Sequence, residues 1–218
     1  MSNASVLIIG SSRGIGAGLV REFLSRGWQV HATVRDKDSP GDLEDVADRV
    51  TLHQLDVRDV SRVNELAKEL ADADLNVIIH NAGIYRGHPE AELIEVNSVA
   101  PIRTVQALLD SGAVAADGVV ALMTSQLGAR RGREGTEGGY GGSKARLNDS
   151  FRERADSWGS AGAKAVVIHP GWVRTDMGGA TAPVSVEESA AGIYDLLTNL
   201  TPDQHGRFWT WDGREHPW

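Results

Sequence analysis

Two side chains in Tyr140-Gly141-Gly142-Ser143-Lys144 could together move a proton. A phenol, with an ordinary pKa of ~10, is a poor proton donor or acceptor near neutrality unless its anion is stabilised. A lysine four positions on leaves a helix on the same face, and its ammonium would lower the phenol's pKa. Alone, such a pair is usually a surface accident. Here Ser125 precedes it, closing an apolar run in Thr124-Ser125-Gln126-Leu127-Gly128, where a hydroxyl can donate a hydrogen bond to a substrate oxygen. Thr124 is its local rival. A second chemical feature lies near the start, in Gly10-Ser11-Ser12-Arg13-Gly14-Ile15-Gly16. Glycines there let the backbone turn sharply and let a pyrophosphate approach the N-terminus of the following helix. The bland alternative is a tight strand–helix turn.

Short apolar runs alternate with amphipathic stretches and supply the elements that would position these groups. Strands are expected at Val6–Ile9, Gln29–Val34, Thr51–Leu55, Asn76–His80, Gly118–Thr124, Lys164–His169 and Arg207–Thr210. They are rich in Val, Ile and Leu with little alternation, the pattern of strands buried on both faces. Helices are expected at Ile15–Ser25, Val60–Leu70, Glu92–Leu109, Gly141–Trp158 and Val186–Leu197, with a weaker one at Asp42–Ala47. The alternation predicts an α/β fold: one domain over residues 1–218, a Rossmann-type doubly wound parallel sheet of about seven strands with helices on both faces. Ligands of such sheets bind beyond the carboxyl ends of the strands. The glycine-rich stretch Gly128–Gly142 then reads as a site loop.

The spacing G-x-x-x-G-x-G resembles the short-chain dehydrogenase/reductase family, and further motifs follow in that family's order. These are Asn81-Ala82-Gly83 after the fourth strand, Asn97 in the next helix, Ser125, Tyr140 with Lys144, and Pro170-Gly171-Trp172-Val173-Arg174-Thr175. The closing Gly206–Gly213 stretch and terminal Pro217-Trp218 are similar to the family's small carbonyl-reductase-like branch, of sniffer and C-factor type. The resemblance implies interconversion of a carbonyl and an alcohol by hydride transfer from a nicotinamide dinucleotide. Ser125, Tyr140 and Lys144 would be catalytic, with Asn97 in a proton relay and Lys144 also holding the nicotinamide ribose. Gly10, Ser12, Arg13, Gly14, Ile15 and Gly16 would take the pyrophosphate side. Asn81, Ala82, Gly83, Pro170, Gly171, Val173 and Thr175 would line the nicotinamide. Asp56 and Val57 would contact the adenine, unless Asp56 is simply a cap before the next helix.

NADP(H) is favoured over NAD(H). A carboxylate ending the second strand would bind a ribose diol, but Arg35 comes first there and Arg13 lies in the glycine loop. Two guanidiniums suit a 2′-phosphate; Asp36 is the competing diol ligand. Few residues separate Thr175 from the Ser185 helix start, so a clipped lid over Asp176–Val184 predicts small or aromatic aldehydes and ketones as substrates. The resemblance leaves open an epimerase, an alcohol-oxidising biosynthetic enzyme, or a C-factor-type nucleotide-binding signalling protein.

Composition excludes other classes. The chain has 22 Lys+Arg against 30 Asp+Glu, a formal charge of −8, and its densest basic stretch, Arg130–Arg133, is followed by Glu134 and Glu137. Nothing there tracks nucleic acid. No cysteine is present, which removes disulfides and thiolate chemistry. His80, His88 and His169 have no metal-ligand spacing, and no apolar run is long enough for a membrane span. The first residues have no basic leader pattern, so a cytoplasmic enzyme acting on a small molecule is expected, as a homodimer or homotetramer. Trp28, Trp209, Trp211 and Trp218 read as packing residues, whereas Trp172 adjoins Gly171 in the cofactor-lining motif and could touch substrate.

Overall fold

The computed structural model describes residues 4–129 and 138–218. The basic stretch Arg130–Arg133 and most of the expected Gly128–Gly142 loop lie outside the described residues. Strands β1 (Ser5–Ile9), β2 (Gln29–Val34), β3 (Thr51–Gln54), β4 (Leu75–His80), β5 (Val114–Met123), β6 (Lys164–His169) and β7 (Phe208–Thr210) form one sheet. Their order is β3-β2-β1-β4-β5-β6-β7, and every pairing is parallel. The side chains of Val6–Ile9 and Ala165–Ile168 are inaccessible, as continuous apolar runs in a sheet covered on both faces must be.

Helices α1 (Gly14–Ser25) and α7 (Val186–Thr198) cover one face, packing Leu19 and Phe23 with Ile193 and Leu197. On the other face lie α2 (Val60–Glu69), α4 (Ala100–Asp110) and α5 (Gly139–Arg152), with Leu66, Val105, Leu108, Leu147 and Phe151 in a second core. Two expected helices are interrupted. The one over Glu92–Leu109 is α3 (Glu90–Ile94), a π-helical turn at Glu95–Val99, and then α4. The one over Gly141–Trp158 breaks at Glu153-Arg154 into α5 and α6 (Ala155–Ser160). β5 starts at Val114 rather than Gly118: the strand runs through Asp117, at φ +61°, with a register irregularity against β4.

Helix ends are treated differently. The Asp59 carboxylate caps α2, and Ser185 with Glu188 forms a capping box on α7. The N-cap of α1, Arg13, offers no side-chain cap, and the first turn holds no acid. α1 follows β1, which lies between β2 and β4; the connections part to opposite faces there and leave a crevice at the strand carboxyl ends. Among the described residues no helix is long and apolar enough to cross a membrane.

Candidate active site

The glycine loop lies in that crevice and is crowded by backbone. Gly10 has φ +86°, and a Cβ on it would sit 2.6 Å from Ala82 Cα; a Cβ on Gly16 would run into the Gly10 carbonyl oxygen. Asn81 Nδ2 donates to that same carbonyl (2.7 Å), while the Asn81 and Ala82 N–H groups donate to Ile9 O. The Asn81-Ala82-Gly83 stretch is therefore clamped against the loop. Across the crevice, Thr175 Cγ2 lies 3.2 Å from where a Gly14 Cβ would be. A backbone cradle that accepts no side chain, at a helix N-terminus with positive dipole, fits a pyrophosphate. At its outer edge Arg13 and Arg35 are exposed; Arg13 makes a 3.4 Å pair with Asp176, both side chains more than two-thirds exposed. That arrangement leaves both guanidiniums accessible to a phosphate on a nucleotide ribose.

The proton-moving groups converge beyond the end of β5. Ser125 and Tyr140 share a side-chain hydrogen bond, and Lys144 Nζ lies 5.8 Å from the Tyr140 ring centroid. Lys144 is buried and donates to the Met123 carbonyl (2.8 Å), the last residue of β5. Asn97 is fully buried in the π turn; its amide pairs with both backbone groups of Ile84 (2.9 Å each) and reaches Ser143 Oγ (3.1 Å). Ser143 Oγ donates to the Tyr140 carbonyl (2.7 Å), and Ser98 Oγ to the Ser143 carbonyl (2.6 Å), so α5 is fastened to the π turn on the site side. A π turn shifts the helical register by one residue, and such turns recur at functional sites. Thr124 is otherwise engaged: its hydroxyl donates to Asn148 Oδ1 (2.6 Å) on α5.

Burial dominates the electrostatics of the two groups in the protein alone. Burial pushes Tyr140 up to about 12, Tyr85 adds to the rise, and the hydrogen bond with Ser125 opposes it. Burial also pulls Lys144 down to about 8. Desolvation disfavours whichever form is charged, so it moves the two groups in opposite directions. Tyr140 is thus held as the neutral acid.

Other expected residues fall where the spacing puts them, with two refinements. Asp56 does not cap α2, which Asp59 does; its carboxylate is engaged by Arg58 (2.6 Å) and held below the usual range by that bond. The Val57 carbonyl accepts from Arg103 (2.7 Å). Two participants had no sequence signal. Tyr85 meets Tyr140 edge-on at 4.8 Å between ring centroids, and Asp42 Oδ2 accepts from the Gly14 N–H (3.3 Å). Neither sits in a motif, and only the fold brings them to the site.

Known proteins resemble this chain in sequence and fold. The short chain dehydrogenase family pattern matches residues 4–184. The C-signal protein of Myxococcus xanthus is 32% identical over 164 residues, covering 70% of this chain and 98% of that protein. The carbonyl reductase Sniffer of D. melanogaster superposes with a TM-score of 0.87 at 26% identity, over 100% of both chains. A carbonyl reductase of Pseudomonas aeruginosa PAO1 in complex with NADP gives 0.82 at 36% identity, again over 100% of both. With a glycine cradle, a parallel seven-stranded sheet and a family match over most of its length, this chain is a member of the short-chain dehydrogenase/reductase family of oxidoreductases.

Proposed function

We propose that this chain interconverts aldehydes or ketones and alcohols with NADP(H), Tyr140 being the proton donor in reduction. The convergence of Ser125, Tyr140 and Lys144 beyond β5, across from the glycine cradle, carries this reading. The bound nicotinamide supplies or accepts the hydride. Gly10, Ser12, Gly14, Ile15 and Gly16 hold the pyrophosphate, Arg13 and Arg35 the 2′-phosphate, and Asp56-Val57 the adenine. Asn81, Ala82, Gly83, Pro170, Gly171, Val173 and Thr175 flank the nicotinamide.

Ser125 donates to the carbonyl oxygen and holds it beside the phenol. A phenol raised to about 12 keeps its proton at neutral pH, yet it is a stronger acid than an aliphatic alcohol, so transfer to a forming alkoxide is downhill. Lys144 orients the ribose, and Asn97 carries the relay that restores the proton. Tyr140→Phe should cut turnover by about 10²–10⁴-fold, the usual share of general acid catalysis, with NADPH affinity within twofold. Near-normal turnover in that variant would remove Tyr140 from the acid role.

The C-signal relative supports a second reading, nucleotide binding for signalling without turnover. A carbonyl panel followed by NADPH absorbance separates the two: binding with no turnover of any carbonyl favours signalling. The working form is taken to be cytoplasmic, a homodimer or homotetramer paired through α4 and α5, which light scattering checks.

A further inference from the structure

Two carboxylates from outside the glycine motif reach the start of α1. Asp42 belongs to the 3₁₀ segment Gly41–Arg49 between β2 and β3, and backbone contacts bring it to the glycine loop. Its N–H donates to Ser12 O (2.8 Å), and its Oδ2 accepts from the Gly14 N–H (3.3 Å). Gly41, at φ +69°, lies so close to the loop that a Cβ there would run into Ser12 O. Arg21, on α1, donates to the Asp42 carbonyl (2.6 Å) and grips the Asp45 carboxylate with two bonds (2.6 and 2.8 Å). The segment is thus riveted to both the loop and the helix, and the position of the Asp42 carboxylate is built by the fold.

Asp176 approaches from the opposite side of the crevice. Thr175 faces Gly14 there, and the turn that follows it is tied back on itself: the Gly178 N–H donates to Thr175 Oγ1 (3.1 Å) and the Gly179 N–H to Thr175 O (2.8 Å). From this turn the Asp176 carboxylate reaches Arg13, the N-cap residue of α1, at 3.4 Å. One carboxylate therefore meets an N–H of the helix start and the other meets the adjoining guanidinium. Those are the two kinds of group that bind phosphate in such a cradle. α1 has no acid in its first turn and no side-chain cap, so Asp42 supplies the negative charge that its positive end favours.

We infer that Asp42 and Asp176 are self-ligands of the dinucleotide site: the Asp42 carboxylate competes with the pyrophosphate for the Gly14 N–H, and the Asp176 carboxylate competes with the 2′-phosphate for Arg13. The inference rests on NADP(H) being the cofactor. Each carboxylate lowers affinity twice over, by engaging a phosphate-binding group and by repelling the incoming anion. Their effects differ in scope. Every nicotinamide dinucleotide carries a pyrophosphate, so Asp42 acts on both NADPH and NADH. Only NADPH carries the 2′-phosphate, so Asp176 narrows the preference for it. A dinucleotide held against two competing carboxylates also leaves faster, since differences in affinity lie mostly in the rate of release.

Fluorescence titration of the purified full chain with NADPH and with NADH tests this without turnover. Asp42→Asn, which keeps the shape and removes the charge, should tighten both dinucleotides about threefold. Asp176→Asn should tighten NADPH about threefold and leave NADH within about 1.5-fold. Both gains should shrink at high salt, because the competing contacts are exposed. Glu44→Gln removes an exposed carboxylate from the same 3₁₀ segment but not from the cradle, and should leave both affinities within about 1.5-fold. Weaker binding in Asp42→Asn would make that residue a structural prop and overturn its part. Equal gains for NADPH and NADH in Asp176→Asn would take that residue away from the 2′-phosphate. Gains matched by Glu44→Gln would reduce both effects to net charge. If the parent binds neither dinucleotide, or NADH alone, the cofactor reading itself falls; if it binds NADPH and the variants bind no tighter, only the self-ligand inference falls.

Discussion

The two ends of the site rim are built by opposite means. Around β1 and β4 the walls are backbone: Gly10, Gly16 and Ala82 approach so closely that a single added methyl has nowhere to go. Around β6 and β7 the walls are large side chains, Trp172 and Trp211, set against glycines. The first end suits a ligand part that is the same in every turnover, since N–H groups and a helix dipole recognise phosphate whatever else the molecule carries. The second end suits a part that differs between substrates, because side chains can change without moving the fold. Chemistry sits between them on α5, fastened to the end of β5 through Lys144 and to the π turn through Ser143.

Glycine substitutions at the two ends sharpen the contrast. Gly16→Ala should have the largest effect, because its methyl meets the Gly10 carbonyl, and backbone in a buried strand–helix turn cannot rotate away. Overpacking of about 1–3 kcal/mol falls directly on the cradle, so NADPH affinity should drop about 100-fold by fluorescence titration. Gly171→Ala should do less to the cofactor. Its φ of +91° strains an alanine by about 1–2 kcal/mol, and its methyl pushes an indole rather than backbone. The midpoint of thermal unfolding should fall by roughly 3–6 °C, with NADPH affinity reduced severalfold at most. Equal losses of affinity in the two variants would erase the distinction drawn between the ends.

A smaller effect is expected at the outer edge of the cradle, where recognition passes from backbone to mobile side chains. Arg35 is exposed, and Arg13 makes a long, exposed pair with Asp176. A charge-assisted bond to phosphate contributes about 1.5–3 kcal/mol, so Arg35→Asp should weaken NADPH by roughly tenfold or more. NADH, without the 2′-phosphate, should bind within about twofold of its original affinity. Parallel losses for both dinucleotides would take Arg35 out of phosphate recognition and leave Asp36 as the ribose ligand.

The same contrast explains what was legible in the sequence. β2 and β6 have the bounds their apolar runs predict, and the glycine cradle, Asn81, Asn97, Ser125, Tyr140 and Lys144 are each at a motif position that few other residue types can fill. Backbone-built sites leave such traces because a missing side chain is itself a signal. Side-chain-built sites do not. Trp211 reads as packing because an indole in an apolar segment looks the same whether its free edge meets core or cavity. The π turn at Glu95–Val99 was hidden for a related reason: hydrophobic periodicity continues through it, and only tertiary contacts from Asn97 and Ser98 reveal the register shift. Burial around Tyr140, which pushes the phenol up, was equally invisible, because Tyr85, which meets its ring edge-on, sits in no motif.

A further effect, dependent on pH and outside the cofactor and substrate ends, lies beneath the site, where β4 ends. His80 is fully buried, neither ring nitrogen has a protein partner among the described residues, and burial together with nearby Lys144 pushes it down to about 3. His53, on β3, is pushed down to about 4 by burial and by His31, and His169 likewise to about 4. A histidine that titrates at ~6.5 in the unfolded chain but far lower in the fold binds fewer protons when folded. Stability is therefore full above about pH 6.5 and lost as pH falls toward 4, at up to about 1.4 kcal/mol per pH unit for each such histidine. The lowered carboxylates, among them Asp56, take over only below that window. His80→Leu keeps an apolar fit without giving up a protein hydrogen bond and removes one titrating group. Chemical-denaturant midpoints measured from pH 4.5 to 7.5 should then slope less steeply for this variant than for the parent, by about one proton. An unchanged slope would mean that His80 finds a way to take up its proton inside the fold, and that the floor under Lys144 is wetter than its burial implies.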